Sequence, residues 1–198
     1  MTSKRMIIIT IAALLAVVIV FLLVLYIDYA RTVSSRDIKI SKLTESVKSI
    51  KLDYDIKSIT VKYHRGYSIG MSLYFQNITP TGMERDIFLD CARAITDPET
   101  LTLFKEKYLY RIDFTAGIEE NWKYDLNPEN YDPDGYPYFD IVISFHFFND
   151  KYNKYNLVHW FESMGANREK GNEDYDHWFY EDAITGEICS LRLSESLP

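Results

Sequence analysis

The sequence predicts an α+β fold: one N-terminal transmembrane helix, then an antiparallel sheet of about six strands with two or three helices on one face. Three observations support this prediction: an unbroken apolar run at residues 6–27, period-two alternation in several later segments, and apolar residues at helical spacing between them. The implied organisation is a cytoplasmic tail at residues 1–5, the membrane span, a juxtamembrane spacer with a short helix at residues 28–52, and a soluble domain at residues 53–198.

Residues 6–27 are predicted to cross a lipid bilayer. The run has no charge, and Thr10 is its only polar interruption. At about 1.5 Å of rise per residue, a helix of this length spans the roughly 30 Å hydrocarbon core. The alternative is a cleaved signal peptide, whose apolar core is usually about 7–15 residues and is followed by a small-residue cleavage site. This run is longer and no such site follows it, which favours an uncleaved anchor.

The charges beside the apolar run predict its orientation. Lys4 and Arg5 precede it directly, which favours a cytoplasmic N-terminus. Four bases also follow the run and weaken this preference. Because the N-terminal charges are clustered on a very short tail, we expect the N-terminus in the cytoplasm and the C-terminal domain outside the membrane. The four later bases are Arg31, Arg36, Lys39 and Lys42.

The part of the chain after the apolar run is acidic. Residues 1–27 hold two bases and no acid, so the remainder carries 20 basic and 29 acidic residues. This charge repels phosphate backbones, and no basic stripe or RNA-binding aromatic motif offsets it. We therefore expect no nucleic-acid partner. The predicted partners are the lipid bilayer, through residues 6–27, and a membrane or envelope protein.

A short helix is predicted just after the spacer, because Ile40, Leu43, Val47 and Ile50 recur on one helical face. It can serve as a dimerising stalk or pack on its own domain. A coiled coil needs about three or four heptads, so this short run favours packing on the domain.

The first half of the domain is predicted as a β-hairpin followed by two helices and a strand. Alternating apolar residues flank a glycine-containing turn, a capping box opens the first helix, and an Asp-Pro-Glu start opens the second. In order, these elements are strands at residues 59–63 and 67–75, a helix from Thr81 to Ile95 with Glu84 in its capping box, a helix beginning at Asp97, and a strand at residues 108–114.

The second half is predicted as a strand, a helix from Tyr155 to Met164 and a closing hairpin at residues 177–193. Its strand at residues 139–149 matches residues 67–77 at an offset of 72. Each of these segments follows one predicted strand and precedes one predicted helix, a pattern that suggests a β-β-α duplication. The identical pairs are Ile69 with Ile141, Ser72 with Ser144, Phe75 with Phe147, and Asn77 with Asn149.

The long polar loop at residues 119–137 contains the first half of a calcium-binding pattern. Asn130, Asp132 and Asp134 alternate before Gly135, as oxygen ligands do in a calcium loop. The position of the bidentate glutamate holds Ile141 instead. Asp-Pro-Asp-Gly is also a favourable turn without any metal. A plain loop is therefore preferred, and calcium is the only cofactor that the pattern suggests.

The same loop is a predicted binding site because aromatic side chains lie beside its carboxylates, a combination suited to stacking on sugars or on a partner protein. The alternative is that tyrosine is simply abundant, at 16 copies. The candidate binding residues are Trp122, Tyr124, Tyr131, Asp132, Asp134 and Tyr136.

Cys91 and Cys189 are the only cysteines. Outside the cytoplasm they can form one disulfide between the first long helix and the last strand. Two buried free thiols are the preferred alternative, because Cys91 lies on an apolar helical face and Cys189 lies in a predicted strand.

No nucleophile elbow, phosphate loop or dinucleotide-binding glycine motif occurs in the sequence. The sequence therefore favours a membrane-anchored extracytoplasmic binding or interaction domain without catalytic activity. The alternative is a membrane-tethered hydrolase of an envelope polymer that uses Asp132, Asp134 and Asp140 as acid and base.

Overall fold

The computed structural model describes residues 13–23, 26, 36–64, 68–77, 82–109, 131, 133–136, 138–163 and 175–194. Residues 13–23 are helical, with exposed side chains, and are called α1. Arg36–Tyr63 and Tyr67–Pro198 form one compact unit, and α1 belongs to another. In the described part of the chain, no helix is long and apolar enough to cross a bilayer. The predicted span at residues 6–27 lies partly outside the described residues.

The compact unit is an α+β domain with a seven-stranded sheet. The strands follow one another across the sheet in chain order, from β1 at one edge to β7 at the other. The elements are β1 (Arg36–Asp37), α2 (Ser41–Asp53), β2 (Ser58–His64), β3 (Ser68–Phe75), α3 (Met83–Ile95), α4 (Pro98–Tyr108), β4 (Asp140–Asn149), β5 (Lys154–Ser163), β6 (His177–Asp182) and β7 (Ile188–Arg192).

The sheet is mixed, so the prediction of an antiparallel sheet is wrong at one junction. β3 and β4 run parallel, whereas β4 to β7 pair antiparallel in succession. The chain between β3 and β4 spans residues 76–139 and includes α3 and α4. A connection of this length can return to the starting end of the sheet, which a parallel neighbour requires. Alternation in the sequence is the same for both strand directions.

The parallel register of β3 and β4 coincides with the offset of 72 found in the sequence. Ser72 lies opposite Ser144, and Phe75 lies opposite Phe147. The two phenylalanine rings stack with centroids 4.8 Å apart and planes 14° apart. The matching strands of the predicted duplication are therefore direct neighbours whose equivalent side chains pack on one another.

The helix predicted from Tyr155 to Met164 is wrong, and with it the helix of the second β-β-α unit. The chain instead turns at Asn153, whose φ is +48°, and returns as strand β5. The register of β4 and β5 shifts between Phe145 and His146. Such a bulge inserts one extra residue and interrupts period-two alternation. The remaining apolar residues then fall three apart, which imitates a helix.

The core lies between one face of the sheet and helices α2, α3 and α4. Phe88 of α3 stacks on Phe161 of β5 at 4.2 Å between centroids, and meets Trp178 of β6 edge-on at 5.2 Å. Leu43 and Ile50 of α2 are buried in the same core. Helix α2 therefore packs on its own domain, as its short apolar run predicts.

Asp97 caps α4 as the Asp-Pro-Glu pattern predicts. Its carboxylate accepts hydrogen bonds from the Thr100 amide and from Lys42 Nζ, both at 3.0 Å, and these contacts lower the pKa of Asp97, the Thr100 amide most strongly. Glu99 also contacts Lys42 Nζ, at 2.8 Å. The N-terminus of α4 is therefore joined to α2 through Lys42.

We expect Asp97→Ala to lower the free energy of unfolding by about 1 kcal/mol, the usual cost of losing an N-cap. Glu99→Ala removes only an exposed ion pair and is the matched control. Because the pKa of Asp97 is lowered in the folded state, its carboxylate stabilises the fold at pH values above its unfolded pKa, near 3.9. This stabilisation is lost as the pH falls and the carboxylate becomes protonated. Urea unfolding at neutral and acidic pH should thus show a difference between wild type and Asp97→Ala that shrinks in acid. Equal losses from both substitutions would contradict the capping role.

Ser163 is the buried side chain with an unsatisfied polar atom among the described residues, because its Oγ has no hydrogen-bond partner there. An unpaired buried hydroxyl costs about 1–3 kcal/mol, so Ser163→Ala is expected to stabilise the domain by about 1 kcal/mol. Ser144→Ala, at a buried hydroxyl that has partners, should destabilise it instead. Thermal unfolding of the two variants checks the contrast, and a lower melting temperature for Ser163→Ala would refute it.

Candidate binding face

The side of the sheet opposite the helices carries the candidate site. Every second residue of β3 is buried in the core, so the intervening residues share the other side, and the registers extend this side across β4 to β6. We call this side the open face. Its principal side chains are Ser72, Tyr74, Ser144, His146, Phe148, Tyr155, Trp160, Glu162 and Phe179.

The centre of the open face is polar and internally bonded. Ser144 Oγ donates to Ser72 Oγ at 3.0 Å, and His146 Nε2 lies 3.0 Å from Ser144 Oγ. Ser144 is only 4% exposed. Burial lowers the pKa of His146, which favours the neutral imidazole at pH 7. Because its hydroxyl is buried between these two groups, Ser144 joins neighbouring side chains instead of presenting a nucleophile at the surface.

One end of the open face carries four packed rings, which we call the aromatic cluster: Tyr74, His146, Phe148 and Tyr155. Tyr74 stacks on His146 with centroids 5.0 Å apart and planes 18° apart. Tyr155 meets Tyr74 edge-on at 5.2 Å, and Phe148 lies 5.2 Å from Tyr155. All four rings are half-buried, so each keeps part of its surface accessible.

A lysine ammonium lies over the aromatic cluster. Lys57 Nζ is 5.3 Å from the ring centroid of Tyr155 and 5.8 Å from that of Phe148. It also donates a hydrogen bond to Gln76 Oε1 at 3.0 Å, and the Tyr155 hydroxyl approaches the same oxygen at 3.4 Å. Both distances from Lys57 Nζ to the ring centroids lie within the range over which a cation is attracted to an aromatic face.

Sequence reasoning missed the aromatic cluster, although one signal was present. At the offset of 72, Tyr74 aligns with His146. This stack would have been expected if the two aligned segments had been recognised as neighbouring parallel strands. Phe148 and Tyr155 come together across the β4–β5 turn, and Tyr155 was predicted as the start of a helix.

The β6–β7 end of the domain exposes large apolar side chains. Phe179, on the open face, is 49% exposed, and Ile188 on the edge strand β7 is 69% exposed. Ile184, in the turn between these strands, is also exposed. Large apolar side chains exposed at one end of a domain are a candidate interaction surface.

The predicted loop site is only partly described. Trp122, Tyr124, Asn130 and Asp132 lie outside the described residues. Among the others, Tyr131 is buried, Tyr136 is half-buried against the core, and Asp134 is exposed. Gly135 has a φ of +81°, as the predicted turn requires.

The metal and carboxylate hypotheses remain predictions. Within the described ranges, no group of three or more His, Cys, Asp or Glu side chains is placed to hold a metal ion. Two of the three proposed calcium ligands, Asn130 and Asp132, are not among those residues. Asp140 opens β4 and is half-buried, while its proposed catalytic partner Asp132 is not described.

Both cysteines are free thiols in this structure, and they differ in access: Cys91 is buried on α3, whereas Cys189 is exposed on β7. Burial raises the pKa of both thiols, and Cys91 has the larger shift. We expect a maleimide to modify one thiol per native molecule, and two after unfolding in denaturant. Intact-mass spectrometry checks this result. Cys189→Ser should abolish native labelling and Cys91→Ser should preserve it, and the reverse pattern would contradict the assignment.

Comparison of the chain with protein-family models, curated proteins and solved structures found no match.

Proposed function

We propose that the chain is a membrane-anchored, extracytoplasmic interaction domain that binds a membrane or envelope protein through its open face without catalysing a reaction. The observation that carries this proposal is the broad, aromatic open face on the side of the sheet opposite the helices. Tyrosine, tryptophan and phenylalanine are enriched at the centres of protein interfaces. Trp160 and Phe179 present such side chains on adjacent strands.

The anchor in this proposal is the apolar run at residues 6–27. Its described portion, α1, is helical and exposes its side chains to the surroundings, including Leu14 and Phe21. A helix that is apolar on all sides is favoured in lipid or in the core of a larger protein. Lys4 and Arg5 favour retention of the N-terminus in the cytoplasm, which directs the domain outward.

Cys189 supplies a test of orientation, because it is the exposed one of the two thiols. A membrane-impermeant maleimide added to intact cells that express the full chain should label Cys189, and Cys189→Ser should remain unlabelled. Labelling that appears only after the cells are lysed would overturn the extracytoplasmic placement. Recovery of the full chain in buffer without detergent would overturn the anchor itself.

Binding through the open face is tested by site-specific photo-crosslinking in intact membranes. A photoreactive phenylalanine at Trp160 should give a discrete adduct with one membrane or envelope protein. The same group at Leu52, an exposed position of α2 on the helical side, is the matched control and should not. An adduct of equal yield from both positions would contradict an open-face interface.

The loop at residues 119–137 is proposed to contribute to the same partner. Its candidate residues combine aromatic rings with carboxylates, a composition suited to contact with another protein. Shortening this loop in the full chain between residues 119 and 130, ahead of the buried Tyr131, should reduce the Trp160 adduct while leaving the melting temperature of the domain unchanged. An unchanged adduct would remove the loop from the interface and leave the open face as the binding surface.

A further inference from the structure

The aromatic cluster and Lys57 have the composition of a cation-binding site that is occupied by a residue of the same chain. Two rings, Tyr155 and Phe148, lie within 6 Å of one ammonium group. The side-chain Oε1 of Gln76 accepts a hydrogen bond from the same ammonium. Organic cations bound by proteins are held in this way against aromatic ring faces.

We infer that the aromatic cluster binds a quaternary ammonium group, such as the trimethylammonium of choline, and that Lys57 is an internal cation that such a ligand displaces. This inference deepens the proposed binding role of the open face and rests on it. Its test uses a small ligand and purified protein, so it requires neither the protein partner nor the membrane orientation.

The position of Lys57 makes displacement feasible. Lys57 lies just before β2 and its side chain is exposed, so it can turn away into water without moving the strands. The rings, in contrast, are fixed by their contacts with one another on β3, β4 and β5. The site is thus formed before the ligand arrives, and the lysine is its mobile component.

A quaternary ammonium group suits the cluster better than a second primary amine. Lysine carries a compact, strongly hydrated charge, and removing its water opposes contact with the rings. A trimethylammonium group has a diffuse charge and an apolar surface, and recognition of such groups is a known use of aromatic side chains. Choline should therefore compete with Lys57 at the ring faces.

The experiment measures choline binding to the full chain in a maltoside detergent by isothermal titration calorimetry. Lys57→Gln should bind choline more tightly than the wild type, because it removes the internal competitor. Tyr155→Leu should weaken binding roughly fivefold or more relative to the wild type, since it removes the nearer ring face. Lys154→Gln is the matched control, because Lys154 lies over the separate ring of Tyr152, and it should behave as the wild type does.

Two further comparisons make the result decisive. Dimethylbutanol has the shape of choline without its charge, so it should bind markedly more weakly if the cation is recognised. Phosphatidylcholine in mixed micelles should displace free choline if lipid headgroups reach the cluster, and free choline alone should bind if they do not. In either case the group that binds is trimethylammonium, so both results support the inference. Equal affinity for dimethylbutanol, or no gain from Lys57→Gln in a variant with wild-type melting temperature, would overturn the inference.

Discussion

Phe88→Ala is expected to lower the free energy of unfolding by about 3–5 kcal/mol, the usual cost of removing a large buried ring. Phe88 is 1% exposed. Its ring stacks on Phe161 and meets Trp178 edge-on, so a single side chain joins α3 to β5 and to β6. Truncation removes both aromatic contacts and leaves a cavity that these rings cannot easily fill, because strand pairing holds them in place.

Urea unfolding of the full chain, followed by tryptophan fluorescence, measures this loss. Leu52→Ala is the matched control: it also removes apolar atoms from a helix, but Leu52 is 80% exposed, and the expected change is within about 0.5 kcal/mol. Comparable midpoints for Phe88→Ala and Leu52→Ala would show that Phe88 does not hold α3 on the sheet.

Phe104→Ala is expected to have an effect of similar size, about 3–5 kcal/mol, at the other end of the helical layer. Phe104 is fully buried on α4. Its ring contacts Phe139 at 4.8 Å, Tyr108 at 5.5 Å and Tyr63 at 5.6 Å between centroids. One ring therefore positions α4 against β2 and against the entry to β4.

The neighbouring Leu103 provides the control for this second prediction, because it lies on the same helix and is 38% exposed. Leu103→Ala should have a much smaller effect. Phe104→Ala should also release the start of the domain, because the Lys39 amide donates to the hydroxyl of Tyr108, on which the Phe104 ring stacks. Amide hydrogen exchange at Lys39 should therefore be faster in Phe104→Ala than in the wild type. Unchanged exchange at Lys39 would show that the hydrogen bond to Tyr108 does not depend on the packing of Phe104.

Local patterns in the sequence predicted most of the elements correctly. The apolar face of α3, the Asp97 cap of α4 and the closing β6–β7 hairpin all depend on residues close together in the chain. Such features follow from side-chain spacing and backbone chemistry alone.

The errors concern strand direction and a bulge, neither of which is set by local spacing. Alternation in β3 and β4 is the same whether they run parallel or antiparallel, and only the path of residues 76–139 decides between them. The bulge between β4 and β5 changed the apparent period from two towards three. The aromatic cluster was missed for the same reasons, because the sheet was predicted to be antiparallel and the segment that forms β5 was predicted to be a helix.

The parallel junction between β3 and β4 also has a consequence for how the domain assembles. β4 to β7 are joined by comparatively short connections and can pair early. Pairing β3 with β4, in contrast, must bring together residues that are 72 positions apart in the chain. This seam should therefore form late and open early, dividing the sheet into two parts that each expose an unpaired edge. Because the open β3 edge of one copy can pair with β4 of a second copy as well as with its own β4, domain-swapped dimers are the form of misassembly to expect at high concentration.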